Sequence, residues 1–359
     1  MTITSRQYAD EDLPRLQAAL ASWRRAAGLC GYCHVGDLPN RIYEGLPGRP
    51  AGKLVRLWED GSGIAGVAIC LRFDTAFDVF TSPGLRGTDA ELEMLRWAHE
   101  TTRRHMVAAG RGDKPVVTDV FSCDRARMDL LKRLGFERDR LWDHLTERGL
   151  RGPIPAPEPP EGFTIRAATI DDAEQLAAVR TNSFDTKWSA EAYRDQVMRK
   201  PGYDPEREIV VVAPDGRIAA FTIIWLDELN KVGHFEPVGT HRDFQRRGLA
   251  RALMLHGLRE LRRRGMETAT VQHDASNLPA RNLYAGLGFQ KRYETLGVQP
   301  LSAGALTGRC RGRARCGGGR SAASPSPASR TRPCCTSGGR GSCWCRRTGS
   351  RSRSCRRTA

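Results

Sequence analysis

The sequence predicts a mixed α/β protein, an α+β sheet covered by helices, built twice in tandem and followed by a tail that has no core. Three observations lead there. Residues 163–300 read as a strand meander, a helix, a strand, a helix and a last strand, an order that closes a mixed sheet under helices. The same landmarks recur upstream: a short strand and acidic turn runs from Arg6 to Asp12 and again from Arg166 to Asp172, and Leu-Gly-Phe stands at 134–136 and again at 287–289, offsets of 160 and 153 residues. Beyond residue 300 only nine residue types occur, without Ile, Val, Phe, Tyr or any acid.

Four segments follow: a first domain over 1–148, a linker over 149–162, a second domain over 163–300 and a tail over 301–359. The linker contains Gly152-Pro153-Ile154-Pro155-Ala156-Pro157-Glu158-Pro159-Pro160, which cannot be helix or central strand and reads as a stiff connector. In the second domain, strands are predicted over 208–213, 218–226, 234–240, 268–272 and 289–298. Helices are predicted from about Arg247 to Arg264, with Leu253, Met254, Leu258 and Leu261 on one face, and from Pro279 to Leu287, where proline is tolerated in the first turn.

The net charge of +16 is concentrated in the tail, which holds 14 Arg and no acid; the body alone is within about two charges of neutral. This argues against a body that binds nucleic acid. The tail is predicted to be disordered, and its codon-biased composition reads as an out-of-frame translation of a GC-rich gene. The alternative is an arginine arm that holds RNA or DNA through phosphates. Four cysteines lie in the body, Cys30, Cys33, Cys70 and Cys123, too few and too scattered for a disulfide framework. Cys30-Gly31-Tyr32-Cys33-His34 matches a haem-attachment pattern, but the N-terminus shows no export signal, so adjacent surface thiols in a loop are expected, with no metal. No apolar run approaches a membrane span, and a cytoplasmic location is expected.

The most informative stretch is Gln245-Arg246-Arg247-Gly248-Leu249-Ala250, between an apolar strand and an amphipathic helix. Pyrophosphate needs converging donors, and a helix start supplies free N–H groups with the positive end of the dipole. Residues 245–249 include none of the usual capping side chains, which leaves those donors available, and Gly248 lets a ligand approach the backbone. A solvent-exposed basic helix start is the plainer alternative.

Val238-Gly239-Thr240-His241-Arg242-Asp243-Phe244 leading into that stretch resembles the acetyl-CoA motif of the GNAT acetyltransferases, Gln/Arg-x-x-Gly-x-Gly/Ala. Asn277 to Tyr284 with Leu287-Gly288-Phe289 resembles that family's second signature. The resemblance covers about 163–298 well and 1–148 more weakly. It implies two tandem GNAT folds, each a splayed mixed sheet, with acetyl-CoA as co-substrate. It also implies that Val238 and Thr240 bond pantetheine through their backbone, that Gln245, Arg246, Arg247, Gly248, Leu249 and Ala250 hold the pyrophosphate, and that Asn277 touches the pantetheine arm. A tandem with one working half is similar to the mycothiol-synthase branch of the family, though no residue set fixes that acceptor.

Acyl transfer to an amine needs a neutral amine and a protonated leaving thiolate. Tyr284 stands where the family often has its thiolate-protonating Tyr; packing on the sheet is the alternative role. His234, Glu236 and Val238 alternate along one strand, so Glu236 or His234 is the expected base, with His273 and Asp274 weaker candidates. Pro237 suits a bulge or splay. In the first half the equivalent positions read differently: Leu131 for Tyr284, Asp124 for Asn277, Gly84 for Gln245 and Asp89 for Ala250, while Thr88 with Glu91 forms a capping box. That half is expected to have lost its cofactor site. The expectation is an N-acetyltransferase acting on a small-molecule amine. A non-catalytic acyl-CoA-binding module, or a nucleic-acid partner held through the tail, is the alternative. The acceptor stays open.

Overall fold

The computed structural model describes residues 2–44 and 49–301; the predicted disorder of the tail falls outside them. The first half contains β1 (Thr4–Gln7), α1 (Leu13–Ala27), β2 (Val55–Asp60), β3 (Gly63–Arg72), β4 (Ala76–Thr81), α2 (Asp89–Ala108), β5 (Thr118–Phe121), α3 (Arg125–Arg133) and β6 (Phe136–Gly149). The second half repeats it with β7 (Thr164–Ala167), α4 (Ala173–Phe184), β8 (Glu208–Val212), β9 (Ile218–Asp227), β10 (Val232–Thr240), α5 (Leu249–Arg263), β11 (Thr268–Asp274), α6 (Leu278–Gly286) and β12 (Gln290–Pro300). Every strand and helix expected in the second half is present, with ends moved by one to three residues.

The duplicated Arg-to-Asp segment has one physical role in both copies. Arg6 donates from both terminal nitrogens to Asp12 at 2.6 Å, and Arg166 does the same to Asp172 at 2.6 and 2.8 Å. Such forks fix the turn that leads into the first helix. α5 buries Leu249, Leu253, Met254, Leu258 and Leu261 against the sheet. Each contributes about 1.5–3 kcal/mol by leaving water, which decides the helix's orientation.

Sheet membership does not follow the linker. One four-stranded sheet runs β1-β2-β3-β4, and an eight-stranded sheet runs β5-β12-β6-β11-β10-β9-β8-β7. Thus β6, the last strand of the first half, lies antiparallel to β11 of the second, with Thr268 opposite Gly149. β12, the last strand of the second half, lies antiparallel to β5 of the first, with Val298 opposite Thr118. The two exchanged strands also pair with each other. Core packing confirms the exchange: Leu296 and Val298 of β12 join the first-half core, while Leu150 and Ile154, just after β6, join the second-half core.

The cysteine expectations need correction. Cys30 and Cys123, 93 residues apart, form a disulfide, and Cys33 is buried at 4% exposure rather than presented at the surface. Chain distance hid the pair, because the loop after α1 folds onto the start of α3. Among the described residues no cluster suited to a metal ion occurs, and no helix is long and apolar enough to cross a membrane.

Candidate active site

The start of α5 is built as an open donor array. Gly248 is its N-cap at φ +79°, with no side-chain cap, and Arg246 before it also lies in the left-handed region at φ +62°. A Cβ built on Gly248 would meet nothing within 4 Å, so the space above the turn is open. Among the described residues no protein group accepts from the amides of Arg246 to Arg251. Gln245, Arg246, Arg247 and Gly248 are exposed, whereas Leu249 is buried and Ala250 half-buried. Phe244 anchors the turn in the core and carries the Arg247 guanidinium over its ring at 5.5 Å. Unsatisfied donors, dipole and positive charge therefore face one open point, which suits a pyrophosphate.

β10 and β11 run parallel only from Val232 to Phe235 against Thr268 to Val271. Beyond that the strands part, and β10 shifts register against β9 between Phe235 and Val238, where Pro237 sits. The expected bulge is there. A cleft of about 310 Å³ opens in the gap, lined by Glu236 and Val238 from β10, His273 from β11 and Asn277, Ala280 and Tyr284 around α6. A second cavity of about 580 Å³ adjoins it between the halves, lined by Asn40, Glu44, Phe73 and Asp74 of the first half and Arg180, Phe184 and Trp188 of the second. Glu236 lines both.

Within this frame the sequence candidates separate. The Glu236 carboxylate has no hydrogen bond or ion pair among the described residues, and burial, with Asp37 nearby, pushes it up to about 7. The Tyr284 phenol lines the first cleft, has no protein hydrogen-bond partner among the described residues, and is held above its usual range by burial and by Glu236. It therefore stays protonated at neutral pH. His234 lines neither cavity: it is 1% exposed, with Nδ1 2.8 Å from Thr270 Oγ1 and Nε2 3.1 Å from Asp37 Oδ1. The bulge breaks the expected alternation, sending His234 into the core and Glu236 into the clefts. Asn277 caps α6 by accepting from Ala280 N at 3.1 Å while also lining the cleft. Thr240 lies beyond the cleft walls at the end of β10 and takes a 3.5 Å contact from Gln245 Nε2. His273 turns its Nδ1 to the Asp274 carbonyl at 2.9 Å.

The first-half counterpart is closed. Gly87 keeps the same turn at φ +77°, but Thr88 caps α2 and the Glu91 carboxylate accepts from the Gly87 amide at 2.6 Å. Glu91 is fully buried and ion-paired with Arg127. By the Leu-Gly-Phe register, Arg127 stands where the second half has Ala280. The cavity remaining there is about 20 Å³, with Asp124 and Arg127 in its wall.

Several site residues escaped the sequence reading. Asp37, Asn40 and Glu44 come from the first half, and no local pattern ties them to a site 200 residues away. Phe73 is 63% exposed on a turn where Leu71, Phe73 and Asp74 all have positive φ, a strained arrangement with no glycine to announce it. Asp227, at the end of β9, pairs in the interior with Arg24 at 3.2 Å.

An open helix start, a splayed strand pair and an unpaired acid and phenol in the gap are the marks of an acyltransferase fold. A family model described as the acetyltransferase (GNAT) family matches residues 173–289. The chain belongs to the GNAT acetyltransferase family, carries its fold twice, and has N-acetyl transfer as its class of activity. Its relatives include mycothiol acetyltransferases: that of Nocardia farcinica is 33% identical over 58% of this chain and 68% of its own length, and that of a Nocardioides species 28% identical over 81% and 99%. Coverage varies among them: the chain spans 56% of the relative from Saccharomonospora viridis and 47% of that from Streptomyces bingchenggensis. A solved tandem GNAT protein of the clavulanic acid pathway shares the fold, with a TM-score of 0.58 at 15% identity, covering 83% of this chain and 98% of that one.

Proposed function

We propose that the second half transfers the acetyl group of acetyl-CoA to the amine of a small molecule seated between the halves. The observation that carries this is Glu236, an unpaired carboxylate at the wall common to both cavities. Acetyl-CoA supplies an acyl group already activated as a thioester. The open amides from Arg246 to Ala250 would hold its pyrophosphate, with Gln245 beside them. Val238, Thr240 and Asn277 would line the path of its pantetheine arm. The acceptor reacts as the neutral amine: its nitrogen bonds to the acetyl carbon, the carbon–sulfur bond breaks, and Glu236 takes the one proton the nitrogen loses, directly or through water. Tyr284 gives its phenolic proton to the leaving sulfur. His234 does not act as the base, because it is buried in the core and lines neither cavity.

The names of the relatives make a mycothiol-type amine the first acceptor to assay, and the second cavity, with three aromatic and three acidic side chains in its wall, suits a polar molecule bearing a cationic amine. A cytoplasmic reaction is part of this reading. The test is a panel of amines assayed with acetyl-CoA for thiol release, using the full chain. Turnover with one small amine supports the reading. A calorimetric titration without heat from CoA or acetyl-CoA would end it.

A further inference from the structure

We propose that Asp37 of the first half is a positioning residue for the transfer site: through Nε2 of His234 it holds β10 where that strand leaves β11, and so sets where Glu236 stands. This rests on the reading of Glu236 as the base.

The contacts form one continuous grip. Asp37 opens the single-turn helix Asp37–Pro39 and is itself fixed, since its Oδ2 accepts from the His34 amide at 3.2 Å. Its Oδ1 stands 3.1 Å from His234 Nε2. On the other side of that ring, Thr270 gives its own proton to the Gly233 carbonyl at 3.1 Å, so its oxygen accepts from His234 Nδ1 at 2.8 Å. Both nitrogens of His234 thus face oxygen, which fixes the ring's orientation. His34 lies nearly parallel to that ring, with centroids 5.0 Å apart, and its own ring is set by the Gly36 amide and the Val232 carbonyl, each at 3.0 Å. The loop therefore grips β10 at Val232 and His234, the last residues before the bulge. Gly36 is packed so closely on Trp225 that an added Cβ would fall 2.2 Å from that side chain, and Trp225 Nε1 donates to the Glu236 carbonyl at 2.8 Å. The first half thereby reaches the base from both sides of its backbone. A buried pair of this kind contributes more to defining one arrangement than to net stability.

The charged groups around the two acids give the proposal an electrical signature. Asp37 faces His234, Arg41 and His34; burial alone would raise its carboxyl, but these neighbours hold it low. Glu236 faces Asp37, which raises it, and His234, Arg180 and Arg41, which lower it, with the Tyr284 phenol across the cleft. Among these charges Asp37 acts most strongly, so Asp37→Asn should lower the titration midpoint of Glu236. His234→Gln should raise it. Opposite signs from two touching residues are not what general loosening would produce.

The experiment follows the side-chain carboxyl 13C signal of Glu236 against pH in the full chain, assigned by its disappearance in Glu236→Gln, and needs no acceptor. Midpoints that move in opposite directions in the two variants support the proposal, as does a return toward the original midpoint in Asp37→Glu. Midpoints unmoved in both variants, or moved together, overturn it. With an acceptor in hand, Asp37→Asn should cost about tenfold in kcat, because it misplaces the base while leaving the turn at Gly248 intact; since Asp37 also lines the first cleft, a loss confined to KM would count against it. Should Asp37→Asn fail to fold, His234→Gln and Asp37→Glu carry the same comparison. The underlying reading fails separately, if Glu236→Gln retains full turnover.

Discussion

The starts of α2 and α5 are the same turn put to opposite uses. Both place a glycine near φ +78° ahead of a helix packed on a sheet. At α5 the amides point into open space, and Ala280 leaves a cleft of about 310 Å³ beneath them. At α2 the equivalent donors are taken up by Thr88 and Glu91, and Arg127 fills the interior down to about 20 Å³. A ligand-binding helix start and a self-satisfied one differ by a few side chains, while the backbone is kept. On the proposed reading the closed copy serves stability and supplies a wall of the second cavity, and the open copy serves chemistry.

The largest expected effect tests the open half. Glu236→Gln and Tyr284→Phe should each reduce kcat by about 10²-fold or more while leaving CoA binding intact, as measured by steady-state kinetics beside calorimetry. The stoichiometry should be one CoA per chain; two would break the contrast between the halves. In the wild-type enzyme kcat/KM should rise with pH through about 7, since Glu236 must lose its proton to act. A profile flat from pH 5 to 8 would remove Glu236 from the role.

The closed half should respond in stability instead. Glu91→Gln leaves the buried Arg127 guanidinium without its counter-charge and should cost about 3–5 kcal/mol in denaturant unfolding, with the KM for acetyl-CoA unchanged. The paired glycines sharpen this further. Gly248→Ala and Gly87→Ala each impose about 1–3 kcal/mol of backbone strain, but only the former should also weaken acetyl-CoA binding, by about tenfold.

The smallest expected effect is thermal. Folding raises the Glu236 pKa from 4.5 to about 7, so the folded state favours the protonated form. The stability linked to that proton is present below pH 4.5 and lost as pH rises through 7. Glu236→Gln, which cannot ionise, should therefore raise Tm by a few degrees at pH 8 and little at pH 4, seen by calorimetric melting.

What could be read in advance follows a physical division. Local chemistry was legible: the uncapped run at 245–249, the proline that marks the bulge, the Thr88–Glu91 cap and the apolar stripe of α5 are all set by near neighbours in the chain. The order of strands and helices along the second half was legible for the same reason. The partners of β6 and β12 were not, because an alternating strand specifies a face and not a neighbour. Nor was the role of His234, which alternation placed beside Glu236 but which the bulge turned inward to meet Asp37. Arg127 as a plug, the Cys30–Cys123 bond and the Phe73 turn all depend on contacts made across long stretches of sequence, to which periodicity and capping are blind.

The exchange of final strands makes the duplication irreversible. Neither copy can be excised as a self-sufficient module: a piece ending before residue 150 would present β5 without β12, and a piece starting after it would leave β11 with a bare edge, an invitation to aggregate. A protease nick between Gly152 and Pro160 should instead yield two polypeptides that co-elute as one particle, each still handcuffed to the other. The closed copy is thus retained by its sibling's architecture.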